Sequence, residues 1–130
     1  MQTDIIYDGV KTVLSSLIRK LRSKNKYLAI IANKESIARD AEEFFSGFKV
    51  IFRYVKEEFN LDQRNIEYLV SLLDSAIRSQ TNRNDTVVLV LAGPCILYAF
   101  IADRLHNSSR NILYAQFDLK EKVYRLYSIP

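Results

Sequence analysis

Cysteine is nearly absent from this chain: Cys95 is the only one, and a lone thiol permits no intrachain disulfide. A reducing compartment, the cytoplasm, is the expectation that follows. Glycine and proline are scarce as well, three and two among 130 residues, so no stretch reads as a flexible linker between domains. The length suits one domain with one buried core, spanning residues 1–130. No apolar run approaches the roughly 18 residues of a membrane span. The opening residues carry Asp4 and Asp8 where a secretory leader would need an apolar stretch, so neither export nor a membrane partner is expected.

Histidine occurs once, as His106. With a single Cys and a single His, no cluster has metal-ligand spacing, and no metal or cofactor is expected. Nor do these two form a nucleophile–base dyad. About eleven residues separate them along one predicted helix, roughly 16 Å at 1.5 Å per residue. Cys95 therefore reads as a small packing residue and His106 as a helix-end residue, and no catalytic residue is assigned. Glycine-rich dinucleotide loops and phosphate-binding P-loops are missing too.

What the sequence does contain is a regular alternation of elements. Asp4 to about Lys24 places Ile6, Val10, Val13, Leu14, Leu17 and Leu21 on one helical face, predicting an N-terminal helix within residues 1–25. Tyr27–Ala32 is a short continuous apolar run, as strands buried on both faces require. Lys34–Gly47 follows with Ile37, Ala41, Phe44, Phe45 and Phe48 at helical spacing and a glycine at its end. Lys49–Val55 is rich in β-branched and aromatic residues, a second strand. Asn60 or Asp62 caps a long helix to about Thr81, and Thr86–Ala92 is the most apolar strand. Gly93-Pro94 opens a helix carrying Ile96, Leu97, Phe100, Ile101 and Leu105. Asn111–Phe117 and Lys122–Ile129 close the chain as an antiparallel hairpin.

The order α-β-α-β-α-β-α-β-β predicts a Rossmann-like α/β three-layer sandwich. Its sheet is mainly parallel with a C-terminal antiparallel hairpin and an extra N-terminal helix, the sheet and its helices occupying residues 26–130. In such sheets ligands bind beyond the carboxyl ends of the strands. Two loops there feed helix N-termini, where free amides and the positive dipole end favour an anion. One carries Asn33, Lys34 and Ser36, the other Ala92, Gly93, Pro94 and Cys95. Asn33 and Ser36 are equally ordinary helix caps, and Gly93-Pro94 equally ordinary strand-to-helix punctuation. The formal charge of +4 mildly favours an anionic ligand. Its densest basic stretch, Arg19–Lys26, reads as a solvated helix end, and long duplex nucleic acid is not indicated.

Leu91-Ala92-Gly93-Pro94 at the end of an apolar strand, a helix with Ala99 and Leu105, a strand with Ile112, Tyr114 and Phe117, and a last strand with Tyr124 and Ile129 resemble the closing part of SAVED domains. Those cyclic-oligonucleotide sensors of antiphage and CRISPR systems are similar in turn to CARF domains. Ile30–Ile37 is similar to the first strand, polar turn and helix start of the same family. The chain departs from that pattern at Ala102, where the family often has glycine, and it has length for one CARF-like half. The resemblance implies a homodimer or a partner chain completing a composite pocket, and binding of a cyclic oligonucleotide as a sensor subunit or sponge in antiviral defence. Two alternatives stand beside it. One is a metal-independent ring nuclease, in which Lys34 and Ser36 position the ribose 2′-hydroxyl and its phosphate. The other is an assembly subunit that binds no nucleotide.

Overall fold

A computed structural model describes residues 25–128; the predicted N-terminal helix and Ile129 lie outside them. The described chain runs β1 (Lys26–Ala32), α1 (Glu35–Phe44), β2 (Lys49–Val55), α2 (Gln63–Gln80), β3 (Thr86–Ala92), α3 (Ile96–Leu105), β4 (Asn111–Asp118) and β5 (Val123–Tyr127). The five strands form one sheet in the order β2-β1-β3-β4-β5. All pairs are parallel except β4 with β5, which is antiparallel as expected for the hairpin.

β1 from Leu28 and β3 from Val87 are continuously apolar because both of their faces are covered. Alternate residues of β1 serve two cores. Ala29 and Ile31 face α2 and α3, joined by Leu73, Ile77, Leu97 and Ile101. Leu28, Ile30 and Ala32 face α1, joined by Ala38, Ala41 and Phe45. Helices therefore cover both faces of the sheet, α1 on one side and α2 with α3 on the other. Burying each large aliphatic side chain stabilises the fold by about 1.5–3 kcal/mol.

The helix after β1 ends earlier than the periodicity suggested. Its last helical residue is Phe44, and Phe45–Gly47 form a turn in which the Phe48 amide donates to the Phe45 carbonyl, 3.0 Å away. Phe48 is buried, but as the lead-in to β2 rather than as a helical position. Its ring meets Phe45 edge-on at 5.5 Å, and this stacking requires the chain to fold back at that point.

The amino ends of β3 and β4 are tightly bonded. Asn84 adopts a left-handed φ of 69°, which asparagine tolerates better than most residues, and its amide reaches the Ser109 carbonyl at 2.9 Å. Thr81, Asp85 and Thr86 are buried polar residues there. Thr81 Oγ1 donates to the Ile77 carbonyl at 2.6 Å, and Asn111 Nδ2 to Thr86 Oγ1 at 3.3 Å. Among the described residues no helix is long and apolar enough to cross a membrane.

Candidate functional site

Strand order reverses at β1. The chain leaves β1 through α1 to reach β2, then returns through α2 across β1 to β3. The loops leaving β1 and β3 consequently diverge to opposite faces of the sheet, and ligands of open α/β sheets bind in the crevice such a divergence creates. The structure brings the two predicted loops together there: the Asn33 amide donates to the Ala92 carbonyl at 2.9 Å.

Lys34, exposed, is the N-cap residue of α1 and makes no side-chain cap bond. The cap suggested for Asn33 or Ser36 is not formed. The first backbone bond entering the helix is Ala38 N–H to the Lys34 carbonyl at 3.3 Å. The amides of Glu35, Ser36 and Ile37 precede it, in the turn where helices leave donors unpaired. Asn33 Oδ1 is shielded from water and meets no hydrogen-bond partner among the described residues. An orphaned buried acceptor costs about 1–3 kcal/mol, so a small side-chain rotation that found a donor would be favoured.

On the other loop, α3 begins at Ile96 with Cys95 as N-cap, and Pro94 lies just outside. The Pro94 carbonyl accepts the Leu97 amide at 3.1 Å. Cys95 is exposed, not a packing residue as the sequence suggested, because it lies past the strand end where no neighbouring layer reaches it. His106 is the C-cap at the opposite end of the same helix. Gly93 is exposed, but the space beside it is taken. A Cβ on Gly93 would lie 3.0 Å from Cε2 and 3.1 Å from Cζ of Phe59.

Phe59 belongs to the loop after β2, which sequence reasoning passed over. The sequence order of strands is not their spatial order, and only the second reveals that the tip of β2 adjoins that of β1. The Lys56 amide bonds the Ala32 carbonyl at 3.1 Å, fixing this loop to the crevice. Beside it lies a hollow of about 250 Å³ lined by Tyr54, Phe59 and Tyr68, with Lys56, Asn60 and Asn65 at its edge. Asn60 Oδ1 accepts the Asp62 amide at 2.9 Å and so holds the turn into α2. The signal that could have found this hollow was the aromatic pair Tyr54 and Phe59 flanking a strand's carboxyl end.

No family model, curated protein or solved structure matches the chain. The arrangement must be judged on its own chemistry.

Two carboxylates of α1 share one arginine. Arg53 of β2 bonds both carboxylate oxygens of Glu35 and, through Nε at 3.1 Å, Glu42. This hydrogen bonding holds Glu35 below the usual carboxylate range and raises the Arg53 guanidinium further. Glu42 is thus a half-buried partner of Arg53. With Glu35 neutralised, Lys34 and Lys56 supply positive charge near the crevice, while Glu57 and Glu58 stand exposed in the same loop.

Tyr114 and Tyr124 are core residues, and Tyr98 donates its hydroxyl to Gln116 Oε1 at 2.8 Å. Among the described residues no group of three His, Cys, Asp or Glu side chains could hold a metal ion.

Proposed function

We propose that this chain is a Rossmann-like ligand-binding domain that takes a nucleotide, of the cyclic oligonucleotide class its sequence resembles, at the β1/β3 crevice. The observation that carries the reading is the Asn33–Ala92 bond. It holds the two loops together at the reversal of strand order in the sheet.

Three chemically different surfaces lie along these strand ends, and a nucleotide has a part for each. The uncapped first turn of α1, with Lys34, suits a phosphate. Asn33 Oδ1 needs a donor, which a phosphate lacks and a ribose hydroxyl or base amino group supplies. The hollow of Tyr54, Phe59 and Tyr68 offers aromatic faces for a base, and stacking of this kind contributes about 1–3 kcal/mol per base. The described residues present one such crevice. A two-fold homodimer or a partner chain would close it around a ring-shaped ligand, and the role that follows is a sensor subunit or sponge in antiviral defence.

Calorimetric titration with cyclic di-, tri- and tetranucleotides tests the reading. Saturable heat that weakens at least fivefold in Lys34→Ala or Asn33→Ala is the expected result. Heat with no member of the panel, from folded protein, would remove the proposal and favour the assembly subunit. Chromatography of the same mixtures separates the remaining alternative: linear products identify a ring nuclease, and intact ligand a binder.

A further inference from the structure

At the opposite end of the sheet from the crevice, the last turns of α2 and α3 and the start of β4 enclose a hollow of about 260 Å³. Arg78, Arg104 and Arg110 line it, with Asp74, Ser108 and Ser109. We propose that this hollow is a second anion site, which takes a phosphate group independently of the β1/β3 crevice.

Three guanidinium cations face one carboxylate, a formal surplus of two. Two helix C-termini point the same way, and each contributes at most about half a negative charge. Together they cancel one of the two surplus charges, so the hollow stays cationic. Had these arginines served only to complement the helix ends, two would have sufficed for the two helices.

Arg110 is committed through four hydrogen bonds. Its Nε bonds Thr81 Oγ1 at 2.9 Å, Nη1 bonds Ser109 Oγ at 3.5 Å, and Nη2 bonds the Thr81 and Arg78 carbonyls at 2.8 and 3.4 Å. It forms a rigid wall. Asp74, with a side chain only 8% exposed, orients the other two: its Oδ1 accepts Arg78 Nε at 3.2 Å and its Oδ2 accepts Arg104 Nε at 2.9 Å. Arg104 spends Nη1 on Ser71 Oγ at 3.2 Å. Both terminal nitrogens of Arg78, and Nη2 of Arg104, make no hydrogen bond among the described residues. A carboxylate that anchors two arginines by Nε leaves their terminal amino groups available, which is the geometry that fork-like recognition of a phosphate uses.

A neighbouring hollow of about 190 Å³, lined by Leu105, His106 and Tyr114, shares Ser108 and Arg110 with the first. A phosphate against the arginines has space beside it for the group it esterifies.

The test is a titration of the full chain with inorganic phosphate, followed by amide chemical shifts, with chloride at matched ionic strength as the control. The expected result is saturable movement of the Ser108–Asn111 amides with phosphate alone. Arg78→Gln should weaken it about tenfold, the loss expected for charge-assisted hydrogen bonds. Arg78→Lys, which keeps the charge and loses the fork, should fall between. Arg78 is 71% exposed and Asp74 keeps Arg104 without it, so the variant is expected to fold, and its spectrum reports whether it does. Arg104→Lys supplies the second test if Arg78→Gln fails to fold. No saturable shift, equal binding by wild type and Arg78→Gln, or movement confined to Asn33–Ser36 would each overturn the proposal. Only the last of these would leave the β1/β3 reading standing with direct support.

Discussion

Gly93→Ala measures how firmly Phe59 occupies the crevice. The new Cβ would lie 3.0 and 3.1 Å from two ring carbons, where carbon contacts prefer about 3.5–4.0 Å. The ring must retreat by about half an ångström. Overpacking costs about 1–3 kcal/mol in tight interiors. Phe59 is only half-buried, with Tyr54 as an aromatic neighbour at 5.9 Å between centroids, so the low end applies, about 1 kcal/mol. Gly93 does not use a left-handed backbone, so alanine also restricts the unfolded chain and returns about 0.4–1 kcal/mol. The net effect in wild type is close to neutral. In a Phe59→Ala background the clash is gone and Gly93→Ala should stabilise by about 0.4–1 kcal/mol. Urea unfolding of wild type, both single variants and the double variant gives the coupling directly, expected near 1 kcal/mol. Additivity within about 0.3 kcal/mol would mean that Phe59 does not rest on Gly93, and the account of this loop would fall.

Two further outcomes concern pH. Glu35 is held below its ordinary value of 4.5 by Arg53. A depressed folded pKa gives stability that is present above the unfolded value and lost as pH falls through the folded one. The urea midpoint of Arg53→Gln should therefore lie below that of wild type at neutral pH and converge with it in acid; a gap unchanged in acid would contradict the pairing. At the alkaline end, burial pushes Tyr98 and Tyr124 up to about 12, and Tyr114 upward as well, from 10.0. Raised folded values give stability that is complete below 10 and lost as pH climbs toward 12. Phenolate absorbance should show a late phase coincident with loss of circular dichroism, whereas early, non-cooperative titration of all tyrosines would refute their burial.

Much of the fold was legible because it depends on local pattern. β2 and β3 begin and end where composition placed them: β3, buried on both faces, needs continuous apolar residues, and β2, at the sheet edge, shows itself by its β-branched and aromatic residues. The two candidate loops were legible because each follows a strand buried on both faces. What was not legible depended on neighbours distant in sequence. Periodicity extended the helix after β1 to about Gly47 and counted Phe48 on its face, because a buried aromatic looks alike in a helix and in the turn behind it. Cys95 read as a packing residue because no base stands near it in sequence, while the strand end carries it out to solvent. Phe59 could not be placed without strand order. The arginine hollow was invisible because Arg78, Arg104 and Arg110 come from three elements, and each alone reads as an ordinary charge near a helix end.

The position of β1 has a consequence for synthesis. β1 is the first described strand to leave the ribosome, yet it lies inside the sheet, between β2 and β3. Its ladder with β2 needs residues through Val55, and its other edge stays open until Thr86–Ala92 has emerged. At about 5–20 residues per second, several seconds separate the two events. Throughout that interval the nascent chain carries an apolar strand with an unpaired edge, which makes it a natural client for a chaperone and the segment where a translational pause would matter most.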